Sequence, residues 1–265
     1  MIGKAQGIFI EMPMVEIPGG KYFIGSKRSE VEGCIREWSD CLLDSDYTPR
    51  KFRSWIEKEY PMHEVELASF LLAKYPVTNF QFRLFLEEMP FVRRPESIQI
   101  DAPADHPVWG VTVEEANIFA RWWGRKTRKP YRLPKEHEWE CAARGSSRRQ
   151  YPYGDTFCPT KANTFESKNG ATTPVTRYDA YPSEFGVCDM AGNVEEWVDD
   201  IYRPYPGGRF IQDDLTTELG SSYPILRGGS FARGGDLSRA ARRHGPYPGP
   251  EFCFVGFRLA LDRVE

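Results

Sequence analysis

A chain of 265 residues, 40% hydrophobic and 14% aromatic, can bury one substantial core, and its length lies near the upper limit for a single-core domain. With 35 Lys and Arg against 38 Asp and Glu the net charge is -3, so no overall field favours phosphate backbones or anionic lipid, and neither nucleic acid nor membrane is an expected partner. No apolar run approaches the ~20 residues of a membrane span, and Met1-Ile2-Gly3-Lys4-Ala5-Gln6 lacks the basic and apolar regions of a leader, which makes cytoplasmic the expected location.

In chain order, the pattern predicts strands over 14–17 and 22–24, then a helix opened by a Ser29/Glu32 capping pair. Val31, Cys34, Ile35, Trp38, Cys41 and Leu42 recur at three- and four-residue spacing and give that helix an apolar face. Phe52, Trp55 and Ile56 with Trp38 either cover the core or build a partner-facing helical pair; covering is favoured because exposed aromatic stripes are a liability. Strands come next over 63–67 and 70–72, then helices opened by Thr78/Gln81 and Thr112/Glu115. A further helix begins with Pro134 in its first turn, turns Trp139 and Ala142 inward and stops at Gly145. The polar stretch 204–222 reads as a surface excursion, and strands close the chain over 223–227 and 254–260.

With 23 Gly and 21 Pro, most of the remainder must be ordered loop, which predicts an α+β domain of low regular secondary structure. Six cysteines without a CxxC pair read as reduced, mostly buried thiols. The four histidines, His63, His106, His137 and His244, are too scattered for a familiar zinc site. Loop tyrosines 151, 153, 202, 205, 223 and 247 read as ordered packing, with a recognition cleft as the alternative.

Several elements resemble one family in the right order. Pro18-Gly19-Gly20-Lys21-Tyr22-Phe23-Ile24-Gly25-Ser26 is followed by Pro61-Met62-His63-Glu64-Val65, Val77-Thr78-Asn79 and His106-Pro107-Val108. Arg132-Leu133-Pro134 runs through Glu138-Trp139-Glu140 to Ala142-Ala143-Arg144-Gly145, and Gly192-Asn193-Val194-Glu195-Glu196-Trp197, Arg227-Gly228-Gly229-Ser230-Phe231 and Gly256-Phe257-Arg258-Leu259 complete the series. The chain thereby resembles the formylglycine-generating enzyme, or sulfatase-modifying factor, family over nearly its whole length. The resemblance implies a variant of the C-type lectin fold, with several helices around short antiparallel strands, in one domain over 1–265 with a helical insertion at about 27–60.

In that family the resemblance implies two copper-binding cysteines shortly after the Gly-Gly-Ser-aromatic element. The matching places fall near Arg233 and Ser238, and no cysteine lies between Cys188 and Cys253. Soft Cu(I) needs thiolates, so copper and formylglycine-forming activity are not expected. The resemblance also implies structural calcium, held by Asn193, the Val194 carbonyl and Glu196, with a second ion near Asn163; the alternative is a turn whose Glu caps free amides while Trp197 fills the core.

The densest positive cluster, with Arg233 ahead of it, offers Arg233, Ser238, Arg239, Arg243 and His244, and with Tyr247 in the next loop, as a forked grip for a carboxylate or acidic partner. Arg242 and Arg258 are expected to be structural and the others surface-facing. The sequence supports three functional readings. The first is a binding or regulatory module using the 228–258 surface for a protein, peptide or small-molecule ligand; the second is a family oxidase or oxygenase, non-haem-metal or metal-free, acting on a small molecule or peptide; the third is a variable ligand-binding protein of a diversity-generating retroelement. Whether the chain is an enzyme stays open at the level of sequence.

Overall fold

The computed structural model describes residues 12–43, 47–249 and 253–263. Three small sheets set the frame. Strands β1 (Met14–Ile17), β4 (Phe70–Ala73), β9 (Ala260–Asp262) and β5 (Tyr131–Arg132) form an antiparallel sheet in the order β1-β4-β9-β5. β2 (Gly20–Ile24) and β3 (His63–Leu67) form an antiparallel hairpin-like pair across the insertion. β6 (Glu195–Ile201) lies between antiparallel β7 (Pro224–Arg227) and parallel β8 (Val255–Gly256).

Local chemistry starts the helices. In α3 (Asn79–Glu88) the Gln81 side chain accepts from the Thr78 N–H at 2.9 Å, and in α5 (Val113–Thr127) Glu115 accepts from the Thr112 N–H at 2.9 Å, as the capping pattern predicts. α1 (Arg28–Trp38) begins two residues earlier than its predicted cap: Glu30 accepts from the Lys27 N–H at 2.6 Å, while Glu32 turns outward to Arg53. α6 (Glu136–Arg144) likewise starts after Pro134, with Glu138 accepting from the Lys135 N–H, and ends at Gly145, whose φ of 68° only glycine tolerates easily.

One core joins Phe82, Phe85, Phe119, Trp122, Trp123 and Phe257; another surrounds Trp139. In the insertion, α1 and α2 (Pro49–Glu57) bury Val31, Trp38, Phe52, Trp55 and Ile56 against each other, so these aromatics cover rather than project. The stretch 204–222 is more than a surface excursion, because it buries Tyr205, Ile211 and Leu215 and carries the short helix α7 (Asp214–Leu219). The predicted strand over 254–260 divides into β8 and β9, since Arg258 between them turns into the core. Strand β6 escaped the sequence pattern because four of its seven residues are acidic. Of six free cysteines, Cys34, Cys141 and Cys188 are buried and Cys41 is exposed. Among the described residues, no helix is long and apolar enough to cross a membrane.

Candidate functional site

After β7 the chain makes a tight turn at Gly228 and Gly229, with φ of 91° and 69°. The Gly228 carbonyl accepts from the Gly192 N–H at 2.7 Å, and Phe231 N–H donates to the Asn193 carbonyl at 3.2 Å, so the two family signature loops are stitched together here. Beyond this turn the loop is held down by arginine. Arg239 makes a forked pair with Glu59, 2.8 and 2.9 Å, and Arg243 one with Glu136, 2.7 and 2.9 Å. Arg227 pairs with Glu140, and Arg258 with Glu196 at 2.6 and 2.7 Å. A guanidinium leaves water at such cost that a facing carboxylate does much to offset its burial, most fully where it offers both oxygens. Burial alone would raise Glu140, yet Arg227 and Arg144 outweigh it and hold that carboxyl below its ordinary range.

Three of the sequence expectations are corrected by these contacts. Arg239 and Arg243 do not face solvent but are buried in ion pairs, and Ser238 is buried, its Oγ donating to the Gly235 carbonyl at 2.7 Å. Arg258 and Arg242 are structural as expected; Arg242 is buried, and its Nε has no hydrogen-bond partner, lying 3.7 Å from Asp236.

Arg233, His244 and Tyr247, in contrast, line a cavity of about 240 Å³ together with Arg242, Trp55 and Tyr47. Lys51, Asp214 and Asp236 add further charge to its wall, and Leu42, Leu215 and Leu237 make it part apolar. Trp55 Nε1 donates to Asp214 at 2.6 Å, and the Arg242 guanidinium sits 5.8 Å from the Trp55 ring centroid. Behind the wall, buried Glu195 lies 2.9 Å from His244 Nδ1. Burial would raise Glu195, but His244, Arg233 and Arg242 together hold it low. Asp236 behaves the other way: burial pushes its carboxyl up despite Arg242 and Arg239. The wall therefore leans positive, and a carboxylate-bearing ligand would find guanidinium, imidazole and aromatic surface in one place.

At the residues where the resemblance implies calcium, the oxygens already have partners. Both Glu196 oxygens serve Arg258, and one also accepts from Trp139 Nε1 at 2.9 Å. Asn193 Oδ1 accepts from Asn163 Nδ2 and the Thr173 N–H, and Asn163 Oδ1 accepts from Ser167 and Asn169. Val194 is buried as well. Amide N–H groups and a guanidinium pointing into this donor set do not fit a calcium cage, which asks for six to eight free oxygens. Of the turn alternative, Trp197 is buried as expected, its Nε1 donating to the Val111 carbonyl, but the glutamates serve side chains, Glu196 taking Arg258 and Trp139 and Glu195 lying against His244.

Sequence reasoning missed Glu59, Glu136, Glu140 and Glu195 as partners. The one signal that pointed to them was the number of arginines in the loop, more than a surface charge cluster needs.

Fold and site together define an α+β lectin-like scaffold in which the loop after the Gly228-Gly229 turn, the helical insertion and the start of α7 line an arginine-bearing cavity. The chain belongs to the family of the sulfatase-modifying factor enzyme 1-like domain, which matches residues 9–263. It is 33% identical to serine/threonine-protein kinase pkn1 of Chlamydia caviae over 97% of this chain and 39% of that protein. A hercynine oxygenase of Mycolicibacterium thermoresistibile is 31% identical over 78% of the chain and 54% of its own length. The chain thus spans well under two thirds of these relatives. The inactive C-alpha-formylglycine-generating enzyme 2 of Mus musculus is 27% identical over 98% of this chain and 87% of its own. Among solved structures, PvdO from Pseudomonas aeruginosa superposes with a TM-score of 0.67 at 23% identity, covering 94% of each chain. Treponema denticola variable protein 1 does so at 0.64 and 20%, covering 94% of this chain and 95% of its own. These two likenesses show the fold.

Proposed function

We propose that the domain is a binding module whose cavity takes a small molecule or peptide end bearing a carboxylate on an aromatic or aliphatic body. The observation that carries this reading is Arg233: it stands where the family resemblance implies a copper-binding cysteine, and it lines the cavity beside Arg242, His244, Trp55 and Tyr247. A permanently charged fork cannot bind copper but suits a carboxylate. The test is a thermal-shift and calorimetric screen of aryl and alkyl carboxylates, each matched by its neutral amide, on the wild type and Arg233→Ala. The carboxylates should bind in preference to their amides, and Arg233→Ala should weaken them by roughly 1.5 to 3 kcal/mol, the range for a charged hydrogen bond. Equal binding of acid and amide, or a variant that binds as well as the wild type, would overturn the proposal.

A second reading is favoured by His244. An imidazole held from behind by a buried carboxylate is an arrangement suited to proton transfer, and one relative is named an oxygenase. On this reading the same cavity would hold a substrate, and turnover of a bound carboxylate that His244→Gln abolishes, with binding retained, distinguishes it from a module that only binds.

A further inference from the structure

Away from the cavity, Lys58 follows the end of α2 and Asp213 caps the start of α7. Both side chains have 0% exposure, and Lys58 Nζ touches Asp213 Oδ2. Asp213 Oδ2 has no donor other than this amine, and Nζ also donates to the Tyr223 hydroxyl at 2.8 Å. The other carboxyl oxygen is fixed by the Thr216 N–H at 3.0 Å, so the Asp213 carboxyl is clamped with one face turned to the amine. Stacked rings of Tyr202 and Tyr223, 5.0 Å apart, wall the pair at 5.1 and 5.3 Å from Nζ.

An ion pair in such a place is a poor end state. Two charges out of water repay their desolvation only through a full set of hydrogen bonds, and here the oxygen nearest the ammonium has no second donor. Burial, opposed by Asp213, pushes the Lys58 amine down to about 8, so its neutral, nucleophilic form is easier to reach than that of an ordinary lysine. Burial likewise raises the Tyr223 phenol, which keeps it protonated and able to pass a proton on. With both side chains closed off from solvent, the electrophilic carbon at hand is Asp213 Cγ, one bond beyond the oxygen that Nζ touches.

We propose that Lys58 and Asp213 join in an intramolecular amide bond. One ammonium proton passes to the carboxylate, directly or through the Tyr223 hydroxyl. The amine lone pair forms the Nζ–Cγ bond, the Cγ–Oδ2 bond breaks, and Oδ2 leaves as water with two of the protons that began on Nζ. The amide keeps one proton on nitrogen and one carbonyl oxygen, no oxidant or reductant is needed, and two buried charges disappear. The Asp213 residue also borders a surface depression with Gln212, Asp214 and Thr217, so the water released has a short way to solvent. The clamp geometry supplies the orientation that makes an otherwise slow condensation unimolecular.

The bond would close a loop containing more than half the chain and tie the helical insertion to the segment carrying α7. Such a cross-link stabilises by restricting the unfolded chain. It would also brace the cavity wall, since Trp55 on α2 and Asp214 on α7 already bond to each other there.

Intact-mass spectrometry of the purified, denatured protein tests this directly. The wild type is expected one water lighter than its sequence mass, and proteolysis should release a branched peptide joining the Lys58 and Asp213 segments, uncut after Lys58. Lys58→Arg should show its full sequence mass. A wild type at full mass that yields the linear Lys58 peptide overturns the proposal and leaves a salt bridge, and so does a Lys58→Arg protein that is still one water light. The wild-type measurement stands alone, so a variant that fails to fold does not blur the result.

Discussion

Arg239→Ala should act on stability and not on the cavity. Arg239 and Glu59 have side-chain exposures of 4% and 0% and share two hydrogen bonds. Removing the guanidinium leaves Glu59 buried with Ser26 Oγ, 3.0 Å away, as its remaining side-chain donor. Breaking one side of a buried pair costs about 3 to 5 kcal/mol, because the surviving charge keeps its desolvation penalty. For a chain of this length each kcal/mol moves the melting temperature by about 2 °C, so the drop should be roughly 6 to 10 °C. Differential scanning calorimetry reads it. The double variant Glu59→Leu with Arg239→Met should recover most of the loss, since no charge is then left behind. A single variant melting within about 1 °C of wild type, too small a change for a lost buried pair, would refute the assignment of Arg239 to the scaffold.

Burial raises Asp189 from 3.8 to about 8, opposed by a hydrogen bond from Asn193 and by Arg258. The folded state therefore holds a proton that the unfolded chain releases, so this group's contribution is present below the lower value and lost as pH rises to the upper one. Asp189→Asn should accordingly gain in melting temperature over wild type as pH is raised across that window; a variant equally destabilised at every pH would contradict it. Gly192 has a φ of 77°, and a Cβ there would meet the Asn163 backbone carbonyl, so Gly192→Ala should sharply reduce the yield of folded protein, read by size-exclusion chromatography. Chelator and added calcium should give the same melting temperature, because Glu196 is committed to Arg258; a calcium-dependent rise would show that the pair opens for the ion.

Much of the frame was legible in the sequence because its causes are local. Thr78 and Thr112 cap their helices through partners three residues away, and Gly145 stops α6 by its own backbone freedom. The apolar spacing of Val31, Cys34, Ile35 and Trp38 fixed the buried face of α1 in the same way. Strand β6 failed the pattern because Glu195 and Glu196, outward-facing by composition, are buried by partners the strand does not contain.

By itself the sequence determined the family, the short-stranded fold and the absence of a thiolate pair after Ser230, all properties of ordered residue identities. Only the tertiary structure decided which arginines bind scaffold and which line the cavity. Arg239 and Glu59 are 180 positions apart, and Arg243 and Glu136 are 107 apart. In sequence, Arg239 and Arg243 belong to one basic cluster with Arg233 just ahead of it, and nothing local sets the three apart. Arg239 and Arg243 are buried because the fold brings Glu59 and Glu136 to them, and no periodicity in the chain encodes such a meeting.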